Sequence, residues 1–198
     1  MKTLIQKQCH SAVINTVNMD TPKWVLGDGM ITFEKDLALI VYGADCSIIT
    51  FWDDDKIGVC HAGWKGLVGG IIDRMAEEFI DGQCHVGPLL SSFEIQPDDC
   101  YQEICSLYGE KYFSYYKDKI FFNFEKAVLD RVRSIPCVFD GRDTFSHKEL
   151  ASWRRDKKRG DGTQNRLVIW RDFEKNNVNT KLFLPNESIK DFFCKEIV

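Results

Sequence analysis

The stretch from residue 56 to residue 66 constrains the fold more than any other part of the chain. Residues 56–60 form a short apolar run that predicts a buried strand. His61 follows, and a tight turn with two glycines comes next. Apolar residues then recur at helical spacing, which predicts an amphipathic helix over about 65–79. This order of elements suits two interpretations, a reactive histidine exposed at a strand end or an ordinary turn.

Size and composition are those of a folded globular protein. The chain has 198 residues, of which 44% are hydrophobic and 28% charged, so one domain can bury a sizeable core. A net charge of −4 argues against a broad nucleic-acid surface, which needs clustered Lys and Arg. The start of the chain turns polar too early for a secretory signal, and no apolar run is long enough to span a bilayer. We therefore expect a cytoplasmic protein without nucleic-acid or membrane partners.

Strand and helix patterns alternate along the rest of the chain. The predicted elements are a strand over 9–14 entered through His10, two strands within 37–50 with a bend at 43–46, a turn at 53–55, a helix after Pro97, a helix over 123–133, and strands over 136–139 and 166–170. Interleaved elements without a linker or repeat predict one domain over 1–198, with a core over 6–171 and a C-terminal extension over 172–198.

The eight cysteines are scattered and form no CxxC pair, which excludes zinc-ribbon and thioredoxin-like motifs. Most are expected to be reduced, buried thiols. Cys60 is expected in the core, because it lies one residue before His61 and so faces the other side of the strand. His85 and His147 are expected to be structural or surface residues.

A candidate metal site combines His10, Cys46 and His61, each at or beside the end of an apolar segment. Two imidazoles and a thiolate suit Zn²⁺ and leave a fourth position open, so that the ion can polarise an oxygen or acidify water. The same set would also suit a single copper ion with a weak axial methionine, Met30 or Met75. A non-catalytic zinc module is a further alternative, which needs a fourth ligand from the protein.

Short blocks of the sequence occur in the order found in one protein family. They are Gln8-Cys9-His10-Ser11, Ala44-Asp45-Cys46, His61-Ala62-Gly63-Trp64-Lys65-Gly66, Gly87-Pro88 with Phe93-Glu94-Ile95, and Ser152-Trp153-Arg154-Arg155-Asp156 with Thr163 and Arg166. These blocks resemble those of the laccase-domain proteins, also called the polyphenol-oxidase, purine-nucleoside-phosphorylase or peptidoglycan-editing-factor-like family. The resemblance spans about residues 6–171.

This resemblance implies an α+β fold, a single domain of mixed β-sheets with flanking helices, similar to deamidating bacterial toxins. It implies a Zn²⁺ ion on His10, Cys46 and His61, with Cys46 and His61 also catalytic. The implied reactions are phosphorolysis of adenosine, inosine, guanosine or methylthioadenosine, and deamination of adenosine. An alternative implied for bacterial relatives is a zinc-dependent amidase that removes a misincorporated serine from a peptidoglycan precursor. A true multicopper laccase would need more histidines than the four present.

Phosphorolysis requires a phosphate site. The glycine-rich turn with Gly63 and Lys65 at a helix start offers N–H groups and the positive end of a helix dipole. Arg154 and Arg155 are predicted to clamp the same phosphate with paired donors, and the alternative is a solvated basic loop.

The nucleoside itself has further candidate contacts. Trp64 and Trp153 are candidates for stacking on a purine or for ordinary packing. Asp45 is expected to orient a ligand or support its turn, and Glu94 to act as acid or base or to cap locally.

The chain departs from the family pattern at several points. Relatives usually carry a further segment before the first histidine block. The Gly87-Pro88 block is shorter here, and the loop after Asp156 is longer, with Gln164-Asn165 in place of the usual residues. Asp143 occupies a position where a cysteine is common. These differences bear on substrate choice more than on the metal site.

Overall fold

The computed structural model describes residues 1–157, 164–172 and 177–196, with side chains as far as Phe193. The strands in these ranges are β1 (Lys2–Lys7), β2 (Ile14–Thr16), β3 (Trp24–Leu26), β4 (Gly29–Thr32), β5 (Leu37–Gly43), β6 (Ser47–Trp52), β7 (Ile57–Ala62), β8 (Gln83–Val86), β9 (Ser92–Ile95), β10 (Phe113–Tyr116), β11 (Lys119–Asn123), β12 (Cys137–Phe139), β13 (Asn165–Asp172) and β14 (Asn177–Phe183). The α-helices are α1 (Trp64–Val68), α2 (Ile71–Glu78), α3 (Asp99–Tyr108), α4 (Phe124–Val132), α5 (Trp153–Asp156) and α6 (Ile189–Glu196). None of these helices is long and apolar enough to cross a membrane.

The strands form three sheets. A five-stranded sheet has the order β14-β13-β5-β1-β3, a six-stranded sheet has the order β12-β8-β6-β7-β4-β2, and a small sheet has the order β10-β11-β9. Both large sheets are mixed: β1 is parallel to β3 and β5, whereas β13 is antiparallel to β5. In the six-stranded sheet, β7 is antiparallel to both β4 and β6.

The two large sheets share a core because their strands alternate sides with a period of two. Leu39 of β5 and Val59 of β7 belong to the cluster that joins the sheets, whereas Ile40 of β5 belongs to the cluster that includes α6. Cys60 faces the opposite side of β7 from Val59 and is fully buried among residues of α2 and α4, as predicted. The predicted class, mixed sheets with flanking helices, is confirmed.

The predicted helix over 65–79 is two helices, α1 and α2. Gly69 and Gly70 separate them, and Gly70 adopts a left-handed conformation with φ 73°. Glycine adopts this conformation without the steric cost that a Cβ brings, so the chain changes direction here. The apolar spacing continues across the break because both helices bury the same side, with Leu67, Ile71 and Met75 at 0% exposure.

The predicted strand over 9–14 is wrong, because β1 ends at Lys7 and β2 begins at Ile14. The segment between them is a loop, in which His10 has a φ of 59°. The backbone N–H groups of residues 9–11 donate to the buried carboxylate of Asp28 instead of to a neighbouring strand. This polar anchor outweighs the apolar pattern of the segment.

Most other elements agree with the sequence patterns. Residues 44–46 bend the chain between β5 and β6, and residues 53–55 form the predicted turn. The helix after Pro97, the helix near 123–133 and the strands near 136–139 and 166–170 correspond to α3, α4, β12 and β13. Thr163, together with Lys158 and Arg159 of the basic loop, lies outside the described residues.

The tail beyond residue 172 is part of the layered structure. β14 pairs with β13 along its length, from Arg166↔Phe183 to Asp172↔Asn177. Phe192 and Phe193 of α6 lie with their ring centroids 5.5 and 5.4 Å from that of Trp170. The division of the chain at residue 172 stays a prediction.

Candidate functional site

Three chain segments bring His10, Cys46 and His61 together. His10 comes from the β1–β2 loop, Cys46 from the bend before β6, and His61 from the end of β7. Their ligand atoms all lie within 4.8 Å of one another, and Cys46 Sγ is 3.9 Å from His10 Nε2. Thiolate and imidazole donors on one tetrahedral Zn²⁺ lie roughly 3.5 Å apart, so the residues fit such an ion after small movements. Among the described side chains, residues 1–157, 164–172 and 177–193, this is the one group of at least three His, Cys, Asp or Glu residues that could hold a metal ion.

Asp28, in the turn before β4, holds two of these segments in place. Its carboxylate accepts N–H groups of the His10 loop, including that of Ser11 at 2.7 Å, and also the Ser11 hydroxyl. On the other side, Asp28 Oδ1 lies 2.8 Å from His61 Nδ1. With Nδ1 engaged in this way, His61 presents Nε2 as its metal-binding atom.

Burial and charge set the protonation of the site. Burial by itself would raise the pKa of Cys46, but hydrogen bonds and charge from His10 and His61 outweigh it and lower this pKa to about 6. Burial would lower the pKa of His61, but hydrogen bonds with Asp28 and Cys46 raise it to about 9. Burial also opposes ionisation of Asp28, yet His61 and Ser11 hold its pKa far below the ordinary value. At neutral pH the metal-free site therefore contains a thiolate beside an imidazolium.

Asp45 connects the Cys46 bend to α5. Its Oδ1 accepts the Thr144 hydroxyl at 2.8 Å, and its Oδ2 accepts the backbone N–H of Arg154, also at 2.8 Å. Asp45 itself is 8% exposed and has a φ of 95°. The carboxylate thus satisfies a free N–H in the first turn of α5 and fixes this short helix beside the candidate metal ligands.

The three candidate ligands lie in a cavity of about 460 Å³, a size typical of small-molecule sites. Its apolar walls come from Trp64 of α1, Phe93 of β9, Phe124 of α4 and Trp153 of α5. The Arg154 side chain also lines it, with its guanidinium carbon 4.5 Å from the centre of the Phe93 ring. One cavity therefore combines aromatic surfaces, a cation and a set of metal-binding donors.

Several residues singled out from the sequence line this cavity. They are Asp45, Gly63, Trp64, Trp153 and Arg154, in addition to the three candidate ligands. At Gly63, an added Cβ would lie 3.0 Å from Cys46 Sγ and 3.1 Å from His10 Cδ2. The backbone thus approaches both donors so closely at Gly63 that a Cβ there would require the donors or the backbone to shift by a few tenths of an ångström.

Three other candidates lie elsewhere. The Arg155 side chain donates to main-chain carbonyls of residues 144–150 and to Asp156, and it does not line the cavity. The structure therefore separates Arg155 from Arg154, because adjacent residues of α5 face different directions. The ammonium group of Lys65 lies over the Trp64 ring at 5.6 Å, and Glu94 pairs with Lys119 at 2.7 Å. Neither Lys65 nor Glu94 is a cavity-lining residue.

The sequence interpretation missed Asp28 and Thr144 as supporting residues. A signal for Asp28 was present, since an acidic residue between Gly27 and Gly29 directly precedes an apolar strand. A turn explains that pattern equally well, so only the fold shows that the carboxylate points inward. Thr144 carried no local signal, because its partner Asp45 is 99 residues away.

Comparison with known proteins identifies the family of this chain. Residues 1–171 match the family described as multi-copper polyphenol oxidoreductase laccase. A purine nucleoside phosphorylase of Borreliella burgdorferi is 29% identical over 181 residues, which cover 83% of this chain and 77% of that protein. One from Aquifex aeolicus is 30% identical, with 73% and 72% covered.

Solved structures show the same fold. A Neisseria meningitidis protein of the DUF152 family superimposes with a TM-score of 0.73 at 22% identity, over 86% of this chain and 75% of that one. The Bacillus licheniformis hypothetical protein YfiH gives a TM-score of 0.70 at 22% identity, with 79% and 70% covered. Because one family matches most of the sequence, the chain belongs to the multi-copper polyphenol oxidoreductase laccase family.

Proposed function

We propose that this protein is a zinc-dependent purine nucleoside phosphorylase that also deaminates adenosine. The observation that carries the proposal is the position of His10, Cys46 and His61 in a cavity with aromatic walls and one arginine. The names of the relatives from Borreliella burgdorferi and Aquifex aeolicus support this class of enzyme. Adenosine, inosine, guanosine and methylthioadenosine are the proposed nucleosides. The partners are then a nucleoside and inorganic phosphate, in the cytoplasm.

His10, Cys46 and His61 are proposed to hold the zinc ion, since soft thiolate and imidazole donors suit it. When bound, Zn²⁺ supplies a Lewis acid that polarises oxygen and acidifies water. Copper is less well supported. Met30 and Met75 are both fully buried in core clusters and neither lines the cavity, so neither is placed to act as an axial ligand.

The aromatic walls are proposed to bind the purine. Trp64 and Trp153 offer large flat surfaces, and Phe93 and Phe124 close the apolar side of the cavity. Arg154, which Asp45 positions through its backbone, is proposed to bind phosphate at the same place as Gly63.

In phosphorolysis, a phosphate oxygen bonds to C1′ of the ribose while the bond from C1′ to the base breaks, and the base leaves with a proton. The protein must therefore hold an anion against one face of a neutral nucleoside. Arg154 supplies the positive charge for the anion, and the aromatic residues orient the nucleoside. Arg155 has no part in this scheme, because its donors are engaged with backbone carbonyls.

The decisive experiment is incubation of the purified protein with adenosine, with and without phosphate. We expect adenine and ribose 1-phosphate only when phosphate is present, and inosine and ammonia in either case. The Arg154→Ala variant should have a KM for phosphate about 10–100-fold higher, because it loses a charge-assisted hydrogen bond to the phosphate. The exposed Arg133→Ala variant is the control. Release of adenine at the same rate with and without phosphate would refute the phosphorylase assignment.

Metal analysis tests the ligand set independently of the substrate. Freshly purified protein should contain about one equivalent of zinc. The Cys46→Ala variant should lose most of it, because only two of the three protein ligands would remain. Cys105→Ala serves as the control, since Cys105 lies on α3, outside the donor group. Retention of a full equivalent of zinc by Cys46→Ala would remove Cys46 from the site.

The second candidate function is the amidase that removes serine from a peptidoglycan precursor. The observation that favours it is the chain of contacts from Asp28 to His61 to Cys46, in which a carboxylate orients an imidazole beside a thiolate. This arrangement suits amide cleavage by a thiol as well as by a metal site. Release of serine from a seryl precursor, with nucleosides untouched, would favour this function over phosphorolysis.

A further inference from the structure

Two cysteines lie side by side at an edge of the six-stranded sheet, and neither lines the cavity. Cys137 begins β12, the edge strand, and its partner in the register of β8 is Cys84. We propose that Cys84 and Cys137 form a redox-active thiol pair that hydrogen peroxide converts into a disulfide. This inference does not depend on the proposed function.

The geometry permits the bond. β12 and β8 are parallel, and adjacent strands lie about 4.8 Å apart, within the roughly 4.4–6.8 Å between Cα atoms of disulfides. Registered residues of neighbouring strands direct their side chains to the same face of the sheet. Cys84 belongs to the core cluster on that face, and Phe139, two residues after Cys137, packs against the same cluster.

The two thiols have different roles because their surroundings differ. Cys137 is exposed, whereas Cys84 is fully buried. A hydrogen bond from the Cys84 thiol, together with one from the Val86 N–H, lowers the pKa of Cys137, although partial desolvation by the neighbouring protein favours the neutral thiol. The interaction with Cys137, together with burial, raises the pKa of Cys84. Cys137 is therefore the thiolate that meets the oxidant, and Cys84 is the thiol that resolves it.

The chemistry is balanced with peroxide as oxidant. The Cys137 thiolate attacks one peroxide oxygen, the O–O bond breaks, and hydroxide leaves to give a sulfenic acid. The Cys84 sulfur then attacks the Cys137 sulfur, the S–O bond breaks, and the departing oxygen takes the Cys84 proton. Overall, two thiols and one hydrogen peroxide give one disulfide and two water molecules. A dithiol reductant should reverse the bond by thiol–disulfide exchange.

The bridge would affect the segment that supports the cavity. Directly after β12, the N–H of Asp140 donates to Val86 O, and that of Thr144 donates to Leu89 O. Thr144, at the end of this segment, donates its hydroxyl hydrogen bond to Asp45. A covalent tie between Cys137 and Cys84 fixes its start, so local opening of residues 140–144 should become rarer in the oxidised protein.

The test treats the purified protein with a few equivalents of hydrogen peroxide, blocks free thiols with an alkylating agent, and analyses non-reduced peptides by mass spectrometry. We expect a linked peptide pair containing Cys84 and Cys137, which a dithiol reductant abolishes. Alkylation of Cys137 should fall about tenfold, while that of Cys105 stays unchanged. Hydrogen exchange at the amides of residues 140–144 should slow in the bridged form.

Variants separate pairing from simple oxidation. Cys84→Ala should leave Cys137 as sulfenic or sulfinic acid without a bridge, and Cys105→Ser should keep the bridge. Because Cys84 is buried and its replacement could impair folding, the linked peptide of the unaltered protein is the primary result. Overoxidation of Cys137 without linkage to Cys84, or linkage of Cys137 to another thiol, would overturn the proposal. Unchanged hydrogen exchange in the bridged protein would overturn its structural consequence.

Discussion

At the scale of single residues, Asp28 is the residue outside the three donors that holds two of them, His10 and His61, in position. One fully buried carboxylate binds the His10 loop through backbone N–H groups and His61 through Nδ1. A buried charge is costly unless hydrogen bonds satisfy it, and here at least four donors do so. The position of two donors is thus set by an acceptor that does not bind the metal itself.

The protonation of the same residues predicts how metal binding depends on pH. With a pKa of about 6 for Cys46 and about 9 for His61, a thiolate and an imidazolium are present between these values. Zinc requires the neutral imidazole, so loading should release about one proton from His61, and affinity should rise about tenfold per pH unit, levelling off above pH 9. Calorimetry in buffers of different ionisation enthalpy measures this release.

The two shifted pKa values should offset each other in the stability of the metal-free chain. The pKa of His61 is raised from 6.5 to about 9 in the folded protein, so its contribution is complete below pH 6.5 and is lost as the pH rises through 9. The pKa of Cys46 is lowered from 9.0 to about 6, so its contribution grows as the pH rises from 6 to 9. Urea denaturation of metal-free protein should therefore give nearly equal free energies of unfolding at pH 6.5 and 9. A marked difference would contradict the ion pair, as would zinc affinity that is independent of pH over this range.

At the scale of elements, the start of α1 shows how closely backbone and donors approach. Gly63→Ala should reduce zinc content and affinity, because the new Cβ would lie 3.0 Å from Cys46 Sγ. Gly66→Ala is the matched control within the same helix, since its Cβ would make contacts of 3.4 Å or more. Metal analysis and thermal unfolding of both variants check this. Equal zinc content in the two variants would show that the backbone at Gly63 can yield.

The short helix α5 depends on contacts with distant parts of the chain. A helix of four residues is unstable by itself, and the Asp45 carboxylate and the Ser152 cap satisfy N–H groups in its first turn. The five-stranded sheet supplies a second anchor, because the side chain of Asn165 in β13 makes two hydrogen bonds to the backbone of Ala151. Arg154 and Trp153 are thereby held at the cavity by groups distant in sequence.

At the scale of the whole molecule, the tail contributes to stability. Phe193 is 9% exposed and belongs to the outer cluster on the five-stranded sheet, with Trp170 of β13. We expect Phe193→Ala to lower the free energy of unfolding by about 3 kcal/mol, as for other buried aromatic residues. Phe145→Ala, at a side chain 51% exposed, should change it little. Denaturant unfolding of both variants measures the difference, and equal values would mean that α6 does not stabilise the sheet.

The sequence by itself identified the three candidate metal ligands and most of the regular elements. A continuous apolar run located β7, and apolar residues at helical spacing located the α1–α2 pair, because apolar side chains must face the core. The blocks around His10, Cys46 and His61 indicated the family, which the match over residues 1–171 confirms. The mixed sheets followed from that resemblance and not from the patterns alone.

Only the tertiary structure decided which polar residues meet. The apolar pattern at residues 9–14 predicted a strand, but hydrogen bonds to Asp28 hold a loop there. Arg154 and Arg155 are equivalent as neighbours in sequence, yet one faces the cavity and the other binds backbone carbonyls. Local patterns report burial, because burial depends on periodicity within one element. Contacts between polar groups far apart in sequence depend on how the sheets and loops pack, and no local pattern records them.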